Sequence, residues 1–224
     1  MPRHSFGRSP ALANDLDNNQ YRGEKMKLKL LTIFLVSLVI VSCQSTLTKP
    51  AANQTLSVIA DNTARMVFIR PSMYGGAIQS SVFDITGGRV EFIGIVSAKT
   101  RVIYNSKPGK RMFMVLGESA DFMAANMTAG KTYYSLVASR PGVWKARFSL
   151  LPVRKDVSNK HNFAAAHVKK GLKQPIIENT EKSQAWFQAN KVSITQKYSQ
   201  YWPKWLAKSQ SDKAKRTVFA SDGR

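Results

Sequence analysis

The residue whose type and position point most directly to covalent chemistry is Cys43, the one cysteine of the 224-residue chain. A single cysteine cannot form an internal disulfide, so its thiol is left for other reactions. A basic start at Met26-Lys27-Leu28-Lys29 is followed by the apolar run 30–41 (LLTIFLVSLVIV), and the small residue Ser42 directly precedes the cysteine. Twelve helical residues reach about 18 Å, well short of the ~30 Å hydrocarbon core of a bilayer. The pattern predicts a secretory signal over residues 26–42 rather than a membrane span.

The end of this pattern, Ile40-Val41-Ser42-Cys43, resembles the lipobox of bacterial lipoproteins. The resemblance implies that the Cys43 thiol takes a diacylglyceryl group as a thioether, that the signal is cut before Cys43, and that the new amine is acylated. Two alternatives remain: an ordinary signal or signal anchor without lipid, and a buried core element with an incidental cysteine. The next residue is Gln44, where an aspartate would resemble an inner-membrane retention signal, so we expect the protein in the outer membrane.

The residues on either side of this signal are polar. Residues 1–25 include five Asn or Asp residues between positions 14 and 19. Export signals normally begin at the initiator, so we expect Met26 to be the true start and residues 1–25 to be a mispredicted extension. If translated, they would form a disordered cytoplasmic tail. Residues 43–63 are rich in Thr, Asn and Ala and are interpreted as a tether between the lipid and a domain.

Short runs of β-branched and aromatic residues, separated by Gly and Pro turns, predict a β-sandwich domain over residues 64–152. Residues 64–70 are followed by Pro71, and Gly87-Gly88 predict a hairpin. Strands with turns every 8–12 residues are typical of an antiparallel sandwich or barrel. We therefore expect a mainly β fold: an antiparallel β-sandwich of about seven or eight strands, followed by two short C-terminal helices.

The composition changes over residues 153–224. Residues 153–175 are polar and are interpreted as a basic linker. Apolar residues then recur at helical spacing: Phe187, Ile194, Tyr198, Tyr201 and Trp205. They predict a helical hairpin, with helices at roughly 181–190 and 194–207 and Pro203 shortening or kinking the second. Because the helices are short, we expect this stripe to pack on the sandwich rather than on a membrane. Residues 209–224 are interpreted as a loose tail.

The charge of the chain points to an anionic partner. The formal net charge is +21, and after Cys43 there are 28 basic and 10 acidic residues. Such an excess favours binding to anionic lipid, polysaccharide or protein, or it is a solvated surface that aids solubility. The basic residues are spread along the chain without the block of Lys and Arg that marks a nucleic-acid arm, so no nucleic acid partner is expected.

Strand periodicity suggests where the anionic partner would bind. Trp144, Ala146, Phe148 and Leu150 share one predicted face, which leaves Lys145 and Arg147 on the other. Lys99 and Arg101 alternate in the same way with Thr100 and Val102. If the two runs share a sheet, one exposed basic face contains Lys99, Arg101, Lys145 and Arg147.

The sequence offers few candidates for catalysis or metal binding. The predicted β-domain contains no histidine, and its four acidic residues are separated along the chain. His161 and His167 lie six residues apart in a polar stretch, and we expect them to be exposed linker residues rather than a base or ligands. A metal site needs three or four donors at ligand spacing, and no such set is present, so neither a metal nor another cofactor is predicted.

Four segments between residues 65 and 154 resemble a group of proteobacterial lipoproteins whose shared domain has no assigned function. They are residues 67–72 (VFIRPS), 107–110 (KPGK), 128–134 (TAGKTYY) and 144–148 (WKARF). Arg111 stands where that group often has a histidine. The resemblance implies a β-sandwich on a lipid tether and supplies no activity.

These observations together predict a lipid-anchored, non-catalytic binding or structural module of the bacterial envelope. In this interpretation the protein is held in a membrane by lipid at Cys43 and uses a basic face to meet its partner. The alternative is an accessory subunit of an envelope assembly that docks through the C-terminal helices. An enzyme is the third possibility, and it would depend on His161 or His167.

Overall fold

The computed structural model describes residues 47–74, 78–143 and 146–224. The predicted signal, Cys43 and Lys145 lie outside these residues. The strands are β1 (Thr48–Pro50), β2 (Ala64–Arg70), β3 (Ser80–Asp84), β4 (Glu91–Val96), β5 (Thr100–Ser106), β6 (Gly109–Leu116), β7 (Ala120–Met127), β8 (Thr132–Arg140), β9 (Arg147–Pro152), β10 (Ile177–Asn179) and β11 (Thr217–Val218). The helices are α1 (Ala166–Leu172), α2 (Glu181–Leu206) and α3 (Gln210–Lys215).

The strands form two stacked sheets, so the predicted mainly β sandwich is confirmed. One sheet has five strands in the order β11-β7-β6-β3-β4, and the other has four in the order β5-β2-β8-β9. Most neighbours are antiparallel, as expected, but β2 pairs in parallel with β8 and β11 with β7. The short strands β1 and β10 form a separate antiparallel pair.

The main core lies between the two sheets. Met66 and Phe68 of β2 meet Phe113 of β6 and Phe148 of β9 there, and the rings of Phe68 and Phe113 are in edge-to-face contact at 5.4 Å. All seven residues of β2 are buried, because this strand has a neighbour on each side and is covered on both faces. This explains why the sequence ARMVFIR is apolar throughout its middle instead of alternating.

Helix α2 packs on the outer face of the five-stranded sheet through the predicted apolar stripe. Phe187, Ile194 and Trp205 are buried in a cluster with residues of β3, β6 and β7. The two helices predicted for this segment are one continuous helix of 26 residues, with Pro203 inside its last turn. A break after residue 190 would separate Phe187 from Ile194, whereas a spacing of seven keeps both on the sheet.

Truncating Phe187 to alanine is expected to destabilise the domain by about 3 kcal/mol, since a buried aromatic ring is replaced by a cavity. The ring stacks on Phe92 at 5.2 Å and contacts Phe83 at 6.1 Å. The matched control is Val192→Ala on the exposed side of the same helix, where we expect less than about 0.5 kcal/mol. Urea unfolding of the two variants measures the difference, and equal losses would contradict this packing.

The region interpreted as a basic linker instead covers the outer face of the four-stranded sheet. Phe163 and Val168 of this region are buried against Val67 and Tyr134 of the sheet. A Cβ on Gly171 would lie 2.5 Å from the Ile69 side chain, so helix α1 approaches the sheet as closely as glycine allows. Consequently Ser149, on the face of β9 that was expected to be wet, is buried.

The segment interpreted as a loose tail is also packed. Val218 is fully buried, and β11 extends the five-stranded sheet. Arg224 and Thr132 exchange two backbone hydrogen bonds, at 2.7 and 3.0 Å. Asp222 forms a buried ion pair with Arg154. The partners in these contacts are far apart in sequence, which is why local polarity suggested a tail.

Part of the predicted tether is likewise attached to the domain. Strand β1 pairs with β10, and the side chain of Gln54 both donates to the carbonyl of Ile176 and accepts from its N–H. The Leu47 carbonyl accepts from the N–H of Thr180. Only residues 44–46 therefore separate the predicted lipid site from the first described backbone contact.

Candidate anion-binding surface

The four cations predicted to form one face have different surroundings. Lys99 is exposed, but Arg101 is buried. The side-chain Nε of Arg101 donates to the Gln174 carbonyl at 2.7 Å, and its backbone N–H donates to the Pro175 carbonyl at 2.9 Å. Burial lowers the pKa of Arg101. The expectation that Arg101 meets solvent was wrong, because residues 174–176 cover this side of β5.

Arg147 lies at the opposite edge of the same sheet. Strands β5 and β9 are separated by β2 and β8, a distance of about 14 Å at the usual strand spacing. The guanidinium of Arg147 donates from Nε and Nη2 to Glu118 Oε1, at 2.9 and 2.8 Å. The predicted face of four free cations is therefore not formed, and Lys145 lies outside the described residues.

The structure instead joins the segment of Lys99 to a segment with three other exposed lysines, because Arg101, two residues after Lys99, donates to the carbonyl of Gln174. Lys169, Lys170 and Lys173 lie in α1 and directly after it. The left-handed backbone of Lys99 (φ 56°) turns the chain into β5, and its N–H donates to the Arg70 carbonyl at 2.8 Å. We call Lys99, Lys169, Lys170 and Lys173 the lysine surface.

Three chain segments meet to build this surface. The turn before β5 contacts the end of β2 through Lys99 and Arg70, and it contacts the segment after α1 through Arg101 and Gln174. Gln174 Nε2 in turn donates to the Pro71 carbonyl at 3.4 Å. The side chains of these junction residues are thus fixed by the fold, while the lysines extend from it.

The charged side chains in the segments that form the lysine surface are all basic. Residues 70–74, 97–103 and 164–177, which form it, contain no Asp or Glu. No salt bridge joins any of the four lysines to a residue of the described ranges. Several arginines, by contrast, have roles inside the fold: Arg65 donates to Asn105 at 2.9 Å, and Arg216 pairs with Asp121 at 2.9 Å. In residues 70–74, 97–103 and 164–177 the exposed charge therefore comes from lysines, because Arg70 and Arg101 are buried.

The two histidines also form a contact that their spacing did not reveal. His161 Nδ1 and His167 Nε2 are 3.0 Å apart, with the rings perpendicular. His167 is exposed as expected, whereas His161 is half-buried and its Nε2 is buried. Burial, followed by the charges of His167, Lys160 and Arg216, lowers the pKa of His161 to about 4, so this ring is neutral at pH 7.

The histidine pair does not extend to a metal-binding set. Within residues 47–74, 78–143 and 146–224, no three His, Cys, Asp or Glu side chains converge as ligands would. The pocket beside His161 is lined by Arg154, Lys160, Lys215 and Arg216, whose charges oppose a cation. Burial and these neighbouring charges together keep the His161 ring neutral.

Comparisons with protein families and with curated proteins do not assign a function to this surface. No protein-family model matches the chain, and no match is found among curated proteins. In the part of the chain that the structure describes, no helix is both long and apolar enough to cross a bilayer.

Proposed function

We propose that this chain is a lipid-anchored protein of the bacterial envelope, held in the outer membrane by lipid at Cys43, and that its domain is a non-catalytic module that binds an anionic partner. The observation on which the proposal rests is the lysine surface: four exposed lysines from two distant segments, at a junction without acidic residues. Like charges brought together in this way repel one another, and an anionic partner removes that repulsion.

The position of the lysine surface supports its use in an anchored protein. Strand β10, which holds β1, continues directly from the segment that covers Arg101, and Arg101 forms a bridge with Ile176. The chain therefore joins the domain at the β4–β5 edge of the sandwich, and Lys99 lies in the connection between these two strands. From Cys43 to Leu47 an extended chain spans at most about 14 Å. The resemblance to proteobacterial lipoproteins supports a lipid tether before a β-sandwich.

The packing of α2 favours this function over docking through the C-terminal helices. The apolar stripe of α2 packs against the five-stranded sheet. The large hydrophobic residues that this helix exposes are Val192 and Leu206. They are fourteen residues apart and do not form a continuous patch of the size that marks a protein interface.

Reversing the four lysines to glutamate tests the proposal. The mature lipoprotein, purified in a neutral detergent, is titrated with dextran sulfate and with bicelles containing phosphatidylglycerol at low and high salt. We expect the unmodified protein to bind at least one of them in a salt-sensitive way. The variant should lose several kcal/mol, since each lysine near an anionic surface contributes about 1 kcal/mol.

The control changes the same net charge elsewhere. Lys107, Lys110, Lys182 and Lys191 are exposed lysines outside the lysine surface, and their reversal to glutamate should preserve most of the binding. Equal weakening by both sets of substitutions would mean that binding follows net charge alone. Absence of binding by the unmodified protein at low salt would leave the lysines as a solvated surface and refute the proposal.

A further inference from the structure

Two large apolar residues lie beside the lysine surface and face solvent. Met73 and Tyr74 follow β2 and are 59% and 55% exposed. Tyr74 is tied back to the end of the strand, since its N–H donates to Ser72 Oγ at 3.0 Å and its carbonyl accepts from Arg70 Nη2 at 3.4 Å. The backbone at these residues is thus held by short-range hydrogen bonds while the side chains extend outward.

Arg70 joins this apolar pair to the lysine surface. Its guanidinium binds the Tyr74 carbonyl, and its own carbonyl accepts from the N–H of Lys99. The side chain is fully buried and packs over the Phe148 ring at 4.6 Å, so it is a rigid connection to the core. Met73, Tyr74 and Lys99 therefore belong to one end of the sandwich.

The combination of groups distinguishes between anionic partners. A soluble anionic polymer needs cations, but it gains little from an exposed methionine. The headgroup layer of a bilayer can bind both cationic and apolar side chains. Lysines contact the lipid phosphates, while apolar and aromatic side chains enter the boundary between the headgroups and the acyl chains. Tyrosine is a side chain suited to that boundary, since its ring is apolar and its hydroxyl stays hydrated.

We infer that the anionic partner of the lysine surface is a phospholipid membrane, and that Met73 and Tyr74 enter its headgroup layer. This inference rests on the proposed function and names its partner. It follows that the corner of the sandwich where β2 ends and β5 begins, next to the strand pair β1–β10, faces the bilayer that holds the lipid at Cys43. The edge formed by β9 and β11, with the pocket beside His161, then faces away from it.

A spin label at position 73 tests this orientation in the intact lipoprotein. Because Cys43 is the one cysteine, Met73→Cys supplies the one free thiol if lipid occupies the sulfur of Cys43. The labelled protein is reconstituted through its lipid into vesicles of phosphatidylcholine with phosphatidylglycerol. We expect the label to lose accessibility to a water-soluble nickel chelate and to gain accessibility to membrane-dissolved oxygen.

Two controls accompany the measurement. A label at Val157→Cys, an exposed position near the pocket beside His161, should stay accessible to nickel in the same vesicles. Reversing the four lysines to glutamate should return the label at position 73 to the aqueous behaviour of the label at position 157. Vesicles of phosphatidylcholine alone should give weaker protection, because the electrostatic attraction is lost.

The possible failures are distinguishable. Equal nickel accessibility at positions 73 and 157 in anionic vesicles would overturn the membrane inference. If dextran sulfate still bound the same protein through the four lysines, the proposed function would stand with a polysaccharide as its partner. Two labels per chain in Met73→Cys would show that the thiol of Cys43 is free, which would refute the lipid anchor itself.

Discussion

Changing Cys43 to serine is expected to abolish covalent lipid attachment completely. A serine hydroxyl cannot form the thioether, and the amine that would be acylated is exposed only after cleavage at this residue. Each buried methylene of an acyl chain contributes about 0.8 kcal/mol to membrane binding. One acyl chain binds only weakly, and stable anchoring requires a second chain or another membrane-binding group. Loss of the acyl chains would therefore release the protein or leave it uncut. Metabolic labelling with a radioactive fatty acid, followed by capture of the protein, gives the result directly.

The neighbouring residue provides a matched control for this change. Gln44→Asp keeps the thiol, so labelling should persist, but the aspartate after the cysteine would resemble an inner-membrane retention signal. Density-gradient fractionation should then find Gln44→Asp with inner-membrane markers and the unmodified protein with outer-membrane markers. Unchanged labelling of Cys43→Ser would rule out lipid at this sulfur. Native protein in the inner membrane would contradict the predicted location.

The sandwich could be predicted from sequence because its turns depend on local residue types, such as glycine. Gly87 has a positive φ of 68°, which glycine adopts without strain, and it lies in the connection between β3 and β4 as the hairpin prediction required. Phe148 and Leu150 enter the core between the sheets, as their period of two indicated. The stripe on α2 was predictable for the same reason, since Phe187 and Ile194 keep a helical period.

The outer layer on the four-stranded sheet could not be predicted in this way. Residues 153–176 contain six Lys or Arg residues and only one acidic residue, a composition that is typical of a solvated linker. Their packing depends on Phe163, Val168 and the close approach of Gly171, which form no periodic pattern. Because this layer covers one side of β5, Arg101 is buried although strand alternation predicts it on the exposed face.

The lysine surface combines a predicted residue with three that the sequence did not single out. Lys99 was a candidate from strand alternation, whereas Lys169, Lys170 and Lys173 were part of the presumed linker. Their proximity depends on contacts between segments about 70 to 100 residues apart, such as those of Arg101 and Pro71 with Gln174. Local patterns contain no information on such pairings. The sequence signal that could indicate this surface is the absence of acidic residues from all three segments.

The C-terminal segment leads to the second large expected effect, a loss of about 3–5 kcal/mol of folding free energy in Asp222→Ala. Asp222 Oδ2 accepts from Arg154 Nη1 at 2.7 Å and from the N–H of Phe219 at 2.9 Å. Arg154 is 8% exposed and Asp222 is 5% exposed. Removal of the carboxylate leaves a buried guanidinium without its counter-charge, and desolvation makes this state costly.

An exposed pair in the same domain is the control for this effect. Glu178 and Lys49 are 3.2 Å apart, with side chains 46% and 60% exposed, so Glu178→Ala should cost no more than about 1 kcal/mol. Urea unfolding at constant pH and salt compares the two variants. Replacing Arg154 by methionine in the Asp222→Ala protein should restore part of the loss, because the unpaired charge is then removed. Similar small effects of Asp222→Ala and Glu178→Ala would mean that the C-terminal segment contributes little to the fold.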